Sequence, residues 1–165
     1  MKREDFSRNR FKLEIKVACS RERLFDYVTT SDGLTQWFLG HVEYVDLTGA
    51  PVQGSDLQAG FNYLWKWQKP HEVEGTVLGY TRNESFEVTF GKDFTVTFSV
   101  EDIEPGETSL LRLEQTNHNP NEENEFGFIN CCVCWTFFLT NLKSVVEQGK
   151  DLREQEIINE SFVNQ

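Results

Sequence analysis

Three cysteines fall within four positions, Cys131, Cys132 and Cys134, inside the run NCCVCWTFFL, and a fourth stands far away at Cys19. Thiols this close together admit three readings: a zinc site, a dithiol redox centre, or small apolar side chains in a core. Zinc requires four tetrahedral ligands, and the telling spacing is two separated CxxC pairs, or one such pair with HxxxH. The chain has neither, and a two-cysteine site completed by Cys19, His41 or His118 is the most its spacing allows. On a helix each residue advances about 100°, so Cys131 and Cys134 approach one face while Cys132 points well away from both. Free cysteine is among the most buried residue types, so the run reads as a hydrophobic spine, with no metal and no cofactor expected. Clustered cysteines also make a poor disulfide framework, which suits a reducing compartment.

No other constellation carries catalysis. GxSxG, HExxH, a phosphate-cradling glycine loop and a dinucleotide fingerprint are all missing, and no nucleophile stands at a diagnostic distance from a base. Acidic side chains are spread along the polar faces of strand-like runs, so no carboxylate pair can be argued. No catalytic residue is assigned, and binding is the expected role.

The elements that must position any site are legible. RFKLEIKVAC alternates Phe11, Leu13, Ile15 and Val17 against charged residues, giving a strand with one buried face. SRERLFDYVTT follows as a helix capped by Ser20, and SDGLTQWFLG as a second short helix with Gly40 as its stop. Val42 to Val45 reads as a short strand, and residues 46–60 form a long turn-rich loop. Phe61, Tyr63, Trp65 and Trp67 then share one face of a strand, and HEVEGTVLGYT, ESFEVTF, DFTVTFSVED and SLLRLEQTN follow at the spacing of an antiparallel meander. HNPNEENE reads as a loop. From Phe126 to Gln148, the positions Phe128, Cys132, Trp135, Leu139, Leu142 and Val146 align on one helical face, and Gly149 sits where a left-handed cap belongs. Residues 151–165 are read as a polar tail or short helix, with Ile157, Ile158 and Phe162 in loose helical spacing.

Bulk properties bound the partners. The 165 residues suit a single domain, with its core over about residues 10–150. Sixteen basic against 27 acidic residues give a net charge of −11, which repels nucleic acid and anionic membranes. No window approaches 18 uninterrupted apolar residues and the first residues lack the order of a secretory signal, so the expectation is a cytoplasmic protein without membrane insertion.

The stretches ERLFDYVTTSDGLTQWF, EVEGTVLGYTRNESFEVTF and FLTNLKSVVEQGKDLR resemble the SRPBCC or START-like superfamily. They are most similar to its branch related to the C-terminal domain of activators of the heat-shock chaperone ATPase. Asp32, Gly33, Leu34 and Trp37 match the short-helix signature, Gly75 the glycine opening the long central strand, and Gly149 the end of the last helix. The resemblance implies an α+β helix-grip fold, a curved antiparallel sheet wrapped around a long C-terminal helix, enclosing a cavity for an apolar or amphipathic small molecule. Trp37, Phe38, Tyr63, Trp65, Phe86 and Trp135 would line it, with Gln115 or His118 as the polar anchor; the same aromatics could instead fill the interior as core. A co-chaperone-like interaction module acting on a chaperone is the alternative. A cyclase-like enzyme is the third reading, and it needs His41 or His118 to point inward. The apolar circumference of the last helix adds homodimerisation as an expectation.

Overall fold

The computed structural model describes residues 2–67 and 71–154. Period-two alternation produces seven strands: β1 (Arg10–Val17), β2 (His41–Val45), β3 (Asn62–Lys66), β4 (Glu72–Thr81), β5 (Ser85–Phe90), β6 (Phe94–Glu104) and β7 (Thr108–Asn117). They form one antiparallel sheet in the order β1-β7-β6-β5-β4-β3-β2. The register sets Leu13 opposite Leu113, Leu113 opposite Phe98 and Phe98 opposite Phe86, so one row of buried apolar side chains crosses four strands. A register shift between Val77 and Gly79 breaks the β4–β5 ladder, a device that bends a sheet.

Because β1 and β2 lie at opposite edges, the chain must cross one end of the sheet between them. Helices α1 (Arg21–Thr29) and α2 (Ser31–Thr35) make that crossing. Ser20 caps α1, its hydroxyl accepting the Arg23 amide at 3.3 Å, and Thr30 caps α2, accepting from Gly33 at 3.0 Å. Gly40 does not cap α2 as expected. The chain leaves the helix through turns at Gln36–Leu39, and the Gly40 amide donates to the Lys66 carbonyl at 2.8 Å, opening the β2–β3 ladder.

Helix α3 (Glu122–Gln148) lies against the sheet, with Phe128, Trp135, Leu139, Leu142 and Val146 buried and Cys132 half-buried on the expected face. It begins four residues earlier than its apolar pattern, inside HNPNEENE. There Asn121 and Asn124 cap each other's amides at 3.0 and 3.2 Å, and three glutamates in the first turn complement the helix dipole. Gly149 ends the helix in the left-handed region, at φ 67°. By length and composition alone α3 is apolar enough to cross a bilayer; here it is the helix that the sheet grips.

Of the segment after Gly149, expected as a polar tail or short helix, residues 151–154 dock onto the body. Buried Asn141 of α3 donates to the Trp37 carbonyl at 2.7 Å and to Asp151 at 3.0 Å, and accepts the Leu152 amide at 2.7 Å. Arg153 donates to the carbonyls of Leu39 at 3.0 Å and Thr35 at 2.9 Å and pairs with Asp151 at 2.7 Å. This clasp ties α3 to the α2 end of the sheet. Ile157, Ile158 and Phe162 lie outside the described residues.

Burial pushes the Asp151 carboxyl up, but the Arg153 side chain and amide and Asn141 outweigh it and hold the group below its ordinary value of 3.8. The clasp therefore contributes its full stability above that value and loses it as pH falls through the lowered folded value. Asn141→Ala should lower unfolding stability by about 2–4 kcal/mol in a urea titration at neutral pH. Asp151→Asn should lower it above pH 5 while flattening its fall below about pH 4, read by the same titration across pH.

Candidate functional site in the aromatic interior

The interior between sheet and α3 is built around Phe38, and the local sequence forces that ring inward. α2 crosses α1 so closely that a Cβ on Gly33 would lie 2.2 Å from the Asp26 carbonyl oxygen. Only glycine permits the approach, which gives the Asp32-Gly33-Leu34 signature its physical reason. Trp37 is then pinned from both ends. Its indole N–H donates to the Tyr27 carbonyl at 2.9 Å, and its own carbonyl receives Asn141. Phe38, next along, meets Trp135 with ring centroids 4.7 Å apart, Phe138 at 4.9 Å, Trp37 and Trp67 at 5.2 Å and Trp65 at 5.7 Å.

β3 supplies one wall. Tyr63 and Trp65 alternate inward with centroids 4.4 Å apart, and Tyr63 faces Gly75 across the β3–β4 ladder. A Cβ there would stand 2.5 Å from the tyrosine ring and 2.6 Å from Thr89 Oγ1. Without it, the Tyr63 ring passes over β4 and its hydroxyl donates to the Thr89 carbonyl at 2.6 Å. β7 supplies the opposite wall. After Leu111 and Leu113 the next inward position is Gln115, fully buried, whose Oε1 accepts the Trp135 indole N–H at 2.8 Å.

Of the eight residues that sequence reasoning selected, Trp37, Phe38, Tyr63, Trp65 and Trp135 meet in one ring cluster. Gln115 joins it by its hydrogen bond, and Phe86 through Phe98, which stacks on it at 6.3 Å and touches Trp135 at 5.7 Å. His118 does not join. It is exposed, its Nε2 lying 3.0 Å from the Thr95 hydroxyl. His41 is also exposed, beside Glu43 at 2.6 Å, so neither histidine points into the interior and the cyclase-like reading loses its named acid–base groups. Phe90, Phe98, Phe138 and Asn141 complete the interior. The strand alternation marks Phe90 and Phe98; Phe138 and Asn141 fall off the main stripe of α3, and no sequence signal singles them out.

The first seven of those selected residues are no more than 3% exposed. Three polar atoms among and beside the rings make no hydrogen bond of good geometry: Gln115 Nε2, Trp65 Nε1 and the Tyr44 hydroxyl. Trp65 and Tyr44 have each other as neighbours, and Gln115 has the Cys131 thiol, a weak acceptor. A buried polar group short of a good partner is costly, so the interior has hydrogen-bonding capacity to spare. Burial drives the Tyr44 and Tyr63 hydroxyls far above their ordinary range and keeps them protonated. A hollow of about 540 Å³ lies on the outer face of the sheet, over Glu43, Asn62, Leu64 and Glu74.

Cys19 is buried, and Cys131, Cys132 and Cys134 are half-buried against the core. All four cysteines are free, and among the described residues no group of three or more histidine, cysteine or acidic side chains is placed to hold an ion. Burial pushes the Cys131 thiol up to about 11, against a small opposing effect of Gln115, and raises Cys19, Cys132 and Cys134 as well.

The family model described as Activator of Hsp90 ATPase homolog 1-like protein matches residues 18–147. Among solved structures, the protein SSP2350 from Staphylococcus saprophyticus superposes with a TM-score of 0.68 at 14% identity, covering 87% of this chain and 96% of its own. The Aha1 dimer from Colwellia psychrerythraea gives 0.65 at 19% identity, over 86% and 98%. CalU16 from Micromonospora echinospora gives 0.61 at 14%, over 87% and 77%. At these identities the likeness is one of fold. A search of the curated proteins finds no match to this sequence.

A thiol titrating near 11 holds very little thiolate at neutral pH. Cys131 in the native protein should therefore react with iodoacetamide at pH 7.5 on the order of a hundredfold more slowly than in urea-unfolded protein, as read by peptide mass spectrometry. Comparable rates in the two states would show that the thiol is not held in the core.

Proposed function

The chain belongs to the Activator of Hsp90 ATPase homolog 1-like family, and from that premise we propose that it is a non-catalytic binding domain whose site is the ring-lined interior between the sheet and α3. The ligand is a small apolar or amphipathic molecule carrying an acceptor oxygen. The observation behind this reading is the set of poorly partnered buried groups. Gln115 Nε2 and Trp65 Nε1 are donors with a thiol and a phenol beside them and no hydrogen bond of good geometry, so a carbonyl or ether oxygen would satisfy them better, while the surrounding aromatics supply apolar area. Phe38 occupies the centre of the cage in the closed state and has to swing aside. Burying about 200 Å² of apolar ligand surface returns roughly 5 kcal/mol, enough to offset a displaced ring and leave micromolar affinity only if the donors are also satisfied.

One observation favours a second reading. Because solvent scarcely reaches any of the lining residues, the same fold could act solely through its outside, as a co-chaperone-like module in the cytoplasm. That reading expects the domain to raise the ATP turnover of an Hsp90-class chaperone in a coupled assay, with the interior remaining closed.

Titration with acetylnaphthalene, followed by quenching of tryptophan emission and by native mass spectrometry, tests the first reading. Saturable uptake is expected, while ethylnaphthalene, with the same shape and no acceptor, should bind about tenfold more weakly. Gln115→Leu should abolish that preference. Phe38→Ala should cost about 3–5 kcal/mol of stability and bind both probes more tightly. Uptake by Phe38→Ala alone, with none by the native protein, would show the rings to be ordinary core.

A further inference from the structure

α3 buries one side and leaves another bare. Phe126, Ile129 and Val133 are 78%, 56% and 49% exposed. They follow one another at steps of three and four, and the exposed Thr136 and Thr140 continue the series. Steps of three and four sustained over five positions make a coiled-coil seam, here about 21 Å long. The two threonines do not spoil it. Thr136 Oγ1 donates to the Cys132 carbonyl and Thr140 Oγ1 to the Thr136 carbonyl, each at 2.8 Å, so covering these hydroxyls leaves no donor unpaired. Half-buried Phe137 widens the apolar strip on one flank.

We propose that this seam is a self-association surface, on which a second copy of the chain lies antiparallel about a twofold axis at Val133. Side-chain size falls along the seam from Phe126 to Thr140. An antiparallel copy therefore sets Phe126 level with Thr140, Ile129 within one residue of Thr136, and Val133 against itself, large against small toward both ends. Such self-complementarity is what a twofold interface requires. Charge selects the same orientation. Glu122, Glu123 and Glu125 crowd the first turn, while Glu123 and Lys143 stand equally far from Val133 along the helix. Antiparallel pairing therefore brings each acidic end level with Lys143 of the second copy. A parallel pair would stack the two glutamate clusters on a chain that already carries −11. Lys143 donates to the Lys16 carbonyl at 2.7 Å and lies 2.5 Å from Glu147, which leaves one of its three N–H groups for the partner. A seam about 21 Å long is short beside the interfaces of stable complexes, so the association is reversible. It involves none of the ring-lined interior and stands apart from the binding reading.

Sedimentation velocity over about three decades of concentration, up to roughly 0.5 mM, provides the test. The weight-average mass should rise from 19.2 kDa toward twice that value. Val133→Glu places two carboxylates together on the axis and should weaken association at least about tenfold, with the circular dichroism and urea midpoint unchanged because the side chain is half exposed. Lys143→Glu should weaken it, and adding Glu122→Lys and Glu123→Lys to that variant should restore it, a rescue that antiparallel pairing alone provides. A monomer at every concentration, a dimer indifferent to Val133→Glu, or a failed charge swap would each overturn the proposal.

Discussion

An indole at the middle of a helix that faces a sheet must bury its ring and still find an acceptor for its N–H. Trp135 does both at once, because β7 carries Gln115 at the one inward position level with it. The pairing fixes the rotation and the height of α3 over the sheet. It is directional, and an indole with no acceptor at that depth would carry the cost of an unpaired donor. The buried row on either side, Phe128 toward one end and Leu139, Leu142 and Val146 toward the other, follows from that single alignment. So does the bare seam on the far side, since a helix fixed on one face has its opposite face chosen for it.

With the helix fixed, the end of the sheet has to be closed, and the crossing of α1 and α2 does this at backbone contact. The absence of a Cβ at Gly33 brings Trp37 within reach of both Tyr27 and Asn141, and Phe38 is carried into the interior as a result. Gly75 acts in the same way on the opposite wall, making room for Tyr63. The space between the sheet and α3 is thus bounded by these two close approaches. Aromatic groups occupy it, and one of them, Phe38, is attached to a short segment rather than to the sheet or to α3.

Much of the fold was legible because period two and period 3.6 are properties of single segments. The alternation in β1, β3, β5, β6 and β7 and the six-residue stripe of α3 required nothing beyond neighbouring residues. What escaped depended on pairs far apart in the chain. The glycines at 33 and 75 could be recognised by resemblance, but their reason is a distance to Asp26 or Tyr63 that no local pattern contains. Asn141, Asp151 and Arg153 carry no local signal because each is merely polar, and only together do they satisfy one another and the carbonyls of Thr35 and Leu39. The start of α3 was hidden for a simpler reason. Asparagines and glutamates resemble a loop until the reciprocal cap is counted. His118 failed as an anchor because it stands an odd number of positions from Gln115, so the alternation that buries Gln115 and Asn117 on β7 turns His118 outward.

The clasp beyond Gly149 also sets how the molecule would respond to tension. A force applied at the C-terminus reaches Arg153 and Asp151 before it reaches α3, and it loads several hydrogen bonds at once, on two different parts of the body. Bonds loaded together in shear resist far better than the same number opened one after another. The tail end is therefore anchored against peeling, and a tug from that side is passed across to the α2 corner instead of unwinding the last helix turn by turn.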